Sequence, residues 1–276
     1  MKSINCNGKL IDLSTPKVMG ILNITPDSFY DGGKFNSTNT IISQVEKMLS
    51  EGATFIDIGA YSSRPGAKNI TEEEELSRIV PIVDLLIKEF SNILISIDTF
   101  RSNIAQQCIA KGACIINDIS AGNMDPNMFA TIAKLQVPYI IMHMQGTPQN
   151  MQKDPVYNDI IRETLFYFSK KINDLRNLGI NDIITDVGFG FGKTLEHNYK
   201  LLNNLELFSH LNTPNLVGVS RKSMLYKPLN IEPNEALNAT TTANTIALLK
   251  GANILRVHDV KEAAEAIKIV ELLKTN

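Results

Sequence analysis

SEGATFIDIGA, Ser50 to Ala60, decides how the fold is read. A helical stretch reaches Gly52, the residue type that most easily takes the left-handed conformation ending a helix, and Ala53 then leads into an apolar run suited to a strand. The pattern returns as AKGACIINDIS (Ala110 to Ser120) and LKGANILRVHD (Leu249 to Asp259). Each is the helix-to-strand half of a repeated βα unit. VMGIL (Val18 to Leu22), ILISID (Ile93 to Asp98), VPYIIM (Val137 to Met142), IITD (Ile183 to Asp186) and NLVGV (Asn215 to Val219) have the same character, which brings the predicted strands to eight.

Helical patterns lie between them. Ile41, Ile42, Val45, Met48 and Leu49 follow a cap at Ser37, and Leu76, Ile79, Val80, Val83, Leu86 and Ile87 follow Thr71. Thr71 with Glu74 three residues on is a capping-box signature, in which each side chain satisfies a backbone N–H of the first turn. Pro81 interrupts the second pattern and predicts a kink or break there. Eight continuously apolar strands alternating with eight helices imply a parallel sheet covered by helices. A closed α/β barrel of the (β/α)8 TIM type accounts for both count and length, with an open doubly wound sheet as the alternative. At 276 residues and 43% hydrophobic, the chain suits one barrel domain spanning 1–276. Asn7-Gly8, between short alternating runs, predicts an N-terminal hairpin closing the barrel floor.

The formal net charge is −2, from 27 basic and 29 acidic residues with no long like-charge block. No electrostatic footprint for nucleic acid or an anionic membrane results, so the expected partners are small molecules. Cys6, Cys108 and Cys114 are an odd number without metal-ligand spacing, which argues against a disulfide framework or structural zinc and for a reducing compartment. Neither a seven-residue apolar run after Lys2 nor a stretch of eighteen apolar residues occurs, so a cytoplasmic location is expected.

In such a barrel, chemistry collects at the C-terminal strand ends. Asn23, Asp98, Asn117 with Asp118, Asp186, the run Ser220-Arg221-Lys222, and Arg256 with His258 all fall there. Arg256 and His258 are two apart and share a strand face with Ile254. Unpaired burial costs roughly 1–3 kcal/mol for each neutral group. These groups therefore bind one another, as an Asp98–Arg256 salt bridge would, or bind a polar ligand with donors, acceptors and an anionic portion.

DVGFGFGKT (Asp186 to Thr194) is not a phosphate loop, because Val187 stands five residues before Gly192, and not GxGxxG, because Lys193 replaces the third Gly. The reading instead is a loop whose backbone approaches a flat ligand, with Phe189 or Phe191 as a wall. His143 reads as structural, and His197 and His210 as helix-surface residues. Lys222 admits a Schiff-base role in principle, but Ser220-Arg221 before it and Ser223 after it read more as an anion-friendly helix start.

MGILNITPDSFYDGG, SSRPGA, IINDIS, MHMQGTPQNMQ, GFGFGK, SRKSM and LRVHDV, in this order and across nearly the whole chain, resemble the dihydropteroate synthase family. The resemblance implies a transferase of folate synthesis that joins hydroxymethyl-dihydropterin diphosphate to para-aminobenzoate, with Mg²⁺ and usually as a homodimer. By the family pattern Asn23 contacts the metal that holds the diphosphate, and Arg256 and His258 bind its oxygens. Asp186 accepts from the pterin's guanidine-like edge, Asn117 and Lys222 complete its polar contacts, and Asp98 sits beside the ring. Thr25 to Phe35 resembles a first loop that closes over the substrates. The second loop brings Ser63, Arg64 and Pro65, so that Phe29, Ser63 and Pro65 flank para-aminobenzoate with Ser223 near its carboxylate. Phe191 is the expected pterin wall.

The chain departs from the pattern in two places. Gly59, Ala60, Tyr61, Ser62 and Ser63 stand where the family run reads GGEST, and Val187 replaces a Pro. These bear on aminobenzoate and sulfonamide affinity more than on activity. Two other readings share a pterin pocket: a pterin-dependent methyltransferase barrel and a non-catalytic pterin-binding paralogue. The first does not need the TPDSF and SSRPG loops, and the second should have lost Asn23, Arg256 or Lys222.

Overall fold

The computed structural model describes residues 3–24, 38–62, 69–151 and 153–275. Strands β1 (Ser3–Cys6) and β2 (Lys9–Asp12) pair antiparallel through the turn at Asn7-Gly8, both of which have positive φ. Eight parallel strands follow: β3 (Lys17–Asn23), β4 (Phe55–Gly59), β5 (Ile95–Asp98), β6 (Ile115–Asp118), β7 (Tyr139–Met142), β8 (Ile183–Asp186), β9 (Asn215–Val217) and β10 (Ile254–Val257). They are ordered as in the sequence, and β10 returns to β3 to close the barrel. The expected closed form is therefore the one adopted.

Nine helices surround the barrel among the described residues, one more than the sequence reading counts. They are α1 (Thr38–Ser50), α2 (Glu72–Glu89), α3 (Ser102–Ala110), α4 (Met128–Leu135), α5 (Ile160–Asn177), α6 (Leu195–Asn203), α7 (Ser223–Leu229), α8 (Leu237–Leu249) and α9 (Val260–Thr275). The extra one arises because β9 is followed by two helices. Asn230, in the left-handed conformation, ends α7, and α8 then makes the return. The repeat glycines behave as read: Gly52, Gly112 and Gly251 have φ of +106°, +110° and +90°, each between a helix and the strand that follows. Thr71 caps α2 by accepting from the Glu74 N–H, but the Glu74 carboxylate pairs with Arg78 one turn on. Of the predicted kink or break at Pro81, the break does not occur: α2 runs on through it.

Two apolar layers hold these elements. Between strands and helices lie Val45, Ile58, Ile79, Val83, Ile104 and Phe168, all fully buried. Inside the barrel, Met19, Phe55, Ile115, Ile140, Ile184, Leu216 and Ile254 meet Ile4, Cys6 and Ile11 of the hairpin, which closes the floor. Among the described residues no helix is long and apolar enough to cross a membrane. The apolar floor leaves only the opposite, C-terminal mouth for polar chemistry.

Candidate active site

One residue pair above the apolar floor, the inward positions turn polar. Register places Asp57 of β4 beside Ser96 of β5, and Asp98 beside Asn117 of β6. Arg256 of β10 reaches into this layer. Its Nε donates to Asp57 Oδ2 at 2.6 Å and its Nη2 to Asp98 Oδ2 at 2.7 Å, while Asn117 Nδ2 donates to Asp57 Oδ2 at 3.1 Å. The Asp98–Arg256 pairing read from sequence is thus present. Asp57, fully buried, is the partner that reading missed. An acid two residues before the end of an apolar strand, on the same face as the rim, was the available signal.

Burial dominates the electrostatics of this layer. It raises the Asp98 carboxyl to about 7 against the pull of Arg256, with Asp57 adding to the rise. It also works against the charge of Arg256, but Asp57 and Asp98 outweigh it and hold the guanidinium's pKa above its ordinary value. Such a group stays cationic at any physiological pH.

Two strands from β10 around the closed barrel, Asp186 ends β8 and accepts from the Gly188 N–H at 2.8 Å. Burial raises its pKa, opposed first by Lys222. Lys222 donates to the Phe189 carbonyl at 2.6 Å, lies 4.8 Å from the centre of the Phe191 ring, and is pushed down by burial to about 8. A Cβ on Gly218 would lie 3.9 Å from Lys222 Nζ and 4.0 Å from Asp186 Oδ2, so the cation and the carboxylate face the same small gap.

The glycine-rich loop after β8 packs closely against the segment that follows β7. A Cβ on Gly188 would stand 2.1 Å from the His143 carbonyl oxygen, and one on Gly192 2.6 Å from that of Gln145. Gly188 and Gly192 are needed to admit the backbone that follows β7. Lys193 fastens the same contact, donating to the carbonyls of His143 at 3.0 Å and Phe191 at 2.9 Å from a buried position where its pKa falls to about 7. Phe189 is fully buried in the core, which leaves Phe191, partly buried, as the ring of the two at the mouth. It packs against Phe100, Ile119 and Met142 on the apolar side of the mouth, with Tyr61 on the same cluster.

The remaining predicted positions divide. Asn23 ends β3 opposite Gly59, half-buried on the rim. His258 follows β10 with Nδ1 3.0 Å from Ser220 Oγ, which also accepts the His258 N–H at 3.2 Å. Ser223 is the first residue of α7, behind Lys222 as N-cap. Arg221 does not join the mouth: its guanidinium pairs with both oxygens of Asp259, which takes it out of the anion site read from sequence. Asp118 is also structural, accepting from Ser120, Gly122 and the Tyr139 hydroxyl. His143 is buried against Tyr157, Tyr167 and Phe168, and burial with nearby Lys193 lowers it to about 2. His197 is more than a surface residue, because it completes the capping box of Thr194. Phe29, Ser63, Arg64 and Pro65 lie outside the described residues.

This mouth pairs a carboxylate and a lysine beside an aromatic wall with an always-cationic arginine and a histidine. A flat heterocycle rich in N–H donors fits the first group, and an anion fits the second. A sequence model of pterin-binding enzymes matches residues 19–258. The dihydropteroate synthase of Escherichia coli (strain K12) is 45% identical over 266 residues, covering 96% of this chain and 94% of that protein. This chain belongs to the dihydropteroate synthase family.

Other members agree with this assignment. The dihydropteroate synthase of Haemophilus influenzae is 44% identical over 265 residues, covering 95% of this chain and 96% of that protein. The Yersinia pestis dihydropteroate synthase solved with a sulfonamide drug complex superposes with a TM-score of 0.94 at 43% identity, over 99% of this chain and 100% of that one. The Xanthomonas albilineans dihydropteroate synthase in complex with 7,8-dihydropteroate has a TM-score of 0.89 at 31% identity, covering 99% of each chain. The synthase family shares the barrel described above.

Proposed function

We propose that the mouth of the barrel holds hydroxymethyl-dihydropterin diphosphate between Asp186 and Arg256 and delivers it to para-aminobenzoate. Membership of the synthase family makes this chain a transferase of folate synthesis that forms dihydropteroate and diphosphate. In the reaction the C–O bond at the pterin methylene breaks, and diphosphate leaves with the electron pair. The amine lone pair forms the new C–N bond, and the resulting ammonium loses a proton. A weak nucleophile attacks readily only if the methylene already carries cationic character, so catalysis amounts to stabilising a departing anion and a transient cation.

Each residue then has a task. Asp186 accepts from the guanidine-like edge of the pterin, and Asn117 and Lys222 supply its remaining polar partners beside Phe191. Asp98 lies next to the ring and, when ionised, favours its positive charge. Nε and Nη2 of Arg256 are held by Asp57 and Asp98, which leaves Nη1 to donate to the diphosphate. If the Ser220 hydroxyl donates to His258 Nδ1, Nε2 carries the ring proton as a second donor. Removing one such donor raises the barrier by about 3 kcal/mol. Phe29, Ser63, Arg64 and Pro65, with Ser223, are assigned to the aminobenzoate side, where loops that exclude water protect the cation from hydrolysis.

Mg²⁺ fits these residues as an ion carried with the substrate. The described residues contain no group of three His, Cys, Asp or Glu that could cage a metal. Asn23 offers a single amide oxygen on the rim, and Mg²⁺ commonly combines one or two protein oxygens with phosphate oxygens and water. Bound so, it neutralises charge on the leaving diphosphate. A homodimer is proposed on the exposed apolar residues Ile246, Leu249, Ile269 and Leu273 of α8 and α9, testable by light scattering. The buried, unpaired Cys6, Cys108 and Cys114 are in keeping with a cytoplasmic enzyme.

The observation that carries this reading is the convergence of Asp186, Lys222 and Arg256 on the gap beside Gly218, with the Arg256 guanidinium held by Asp57 and Asp98. Its test is incubation of the protein with Mg²⁺ and both substrates, followed by mass spectrometry for dihydropteroate and an assay for diphosphate. Equal amounts of both products are expected. Pterin binding with neither product would make the chain a pterin-binding paralogue.

A further inference from the structure

Tyr61 stands where the family run has Glu, and its phenol joins a hydrogen-bonded ring of three side chains from three separate segments. Tyr61, just after β4, donates to Asn69 Oδ1 at 2.5 Å. Gln149, in the turn after β7, donates through Nε2 to the Tyr61 hydroxyl at 3.0 Å and to Asn69 Oδ1 at 2.9 Å. An ionised Glu at position 61 accepts only and could not donate to Asn69 Oδ1, so the ring in this form needs the phenol.

Each corner is itself held. The Tyr61 ring meets Phe100 edge-on at 5.1 Å, which places it in the apolar cluster that includes Phe191. Arg101, 5.6 Å from the Tyr61 ring, pairs with the fully buried Glu75 and donates to the Ile70 carbonyl at 2.7 Å, next to Asn69. The turn that carries Gln149 is pinned by Asn150 Oδ1, which accepts from the Thr147 N–H at 2.7 Å. In sequence, Tyr61 and Asn69 bracket Ser63 and Pro65.

We infer that Tyr61 and Gln149 are positioning residues for the aryl-amine substrate. Their clasp fixes the end of β4 and the start of α2 against the turn after β7. Amine binding depends on that spacing, whereas pterin binding rests on Asp186, Asn117 and Lys222 and does not. This inference rests on the assignment of Ser63 and Pro65 to the aminobenzoate side.

The experiment is steady-state kinetics with para-aminobenzoate varied at saturating pterin diphosphate, and the reverse, on wild type, Tyr61→Phe, Gln149→Met and the double variant. Tyr61→Phe keeps the ring on Phe100 and loses only the hydroxyl, so folding is preserved. The KM for para-aminobenzoate should rise about three- to tenfold in each single variant, the range of one net hydrogen bond, with the pterin KM unchanged. The double variant should be no worse than the more impaired single, because both break the same ring. Equal rises in both KM values, or an unchanged aminobenzoate KM with a lowered melting temperature, would overturn the inference. Ser63→Ala, run alongside, separates the two readings: if it leaves the aminobenzoate KM unchanged while Tyr61→Phe raises it, the clasp stands and the placement of Ser63 fails.

Discussion

Replacing Asp186 by Asn changes one charge in the mouth and almost no volume. Asn keeps an oxygen for the Gly188 N–H, now met at 2.8 Å, but loses the second anionic acceptor and turns an NH₂ toward the pterin's own donors. Hydrogen bonds to a charged group contribute about 1.5–3 kcal/mol, so the pterin Kd should rise about 10- to 150-fold. Folding should not suffer. Burial holds the folded pKa of Asp186 above its unfolded value, so stability from this group is present only below the unfolded pKa, about 4, and is lost as the folded carboxylate ionises. At neutral pH an amide there costs nothing on that account. A second effect follows from Lys222, whose pKa of about 8 is supported by the Asp186 charge. Without that charge the ammonium should lose its proton at lower pH, and the alkaline fall in activity should move toward neutrality. Calorimetric titration with the pterin diphosphate in the absence of amine measures the first effect, a kcat/KM profile the second, and a thermal melt the control. An unchanged Kd with an unmoved alkaline limb would refute the pairing of Asp186 with the pterin edge.

The pH profile of the wild-type chain should be bell-shaped, rising as Asp98 ionises at about 7 and falling as Lys222 deprotonates at about 8. Asp98→Asn should abolish the acid limb, and a limb that persists would assign it elsewhere. Asn23→Ala should raise the Mg²⁺ concentration needed for half-maximal rate, and an unchanged Mg²⁺ dependence would remove the metal role. Lys193→Met should lower stability by leaving the His143 and Phe191 carbonyls without their donor, each at about 1–3 kcal/mol. Because Lys193 is held down to about 7, the unfolded chain binds more protons from about 7 to about 10, and stability rises with pH across that window. The variant should flatten that rise, which denaturant titrations at several pH values would reveal.

The fold was legible because its signals are local. A helix that ends in Gly52, Gly112 or Gly251 must reverse direction within a few residues, and a run such as FIDIG, buried on both faces, belongs in a parallel sheet. The rim was legible for a related reason: side chains alternate along a strand, so a polar residue at the strand's C-terminal end declares its face. The same rule marked Asp57 only after the fact, since an acid deeper in a strand shows its purpose only when its partner is known. Arg256 lies 199 residues away. The packing role of Gly188 was not legible, because nothing near it in the chain announces that the His143 carbonyl would meet a Cβ there at 2.1 Å.

By itself, then, the order of residues determined the alternation of helices and strands, the closing hairpin and the identity of most groups at the mouth, all of which depend on neighbours within a turn or a pleat. Barrel closure decided the rest. Only when β10 lies against β3 does Arg256 stand between Asp57 and Asp98, and only the packing of three loops brings Gln149 to Tyr61 across 88 residues of chain. Distances between groups far apart in sequence are set by the register of the sheet and the burial it imposes. Those same distances determine which charges meet and which pKa values move.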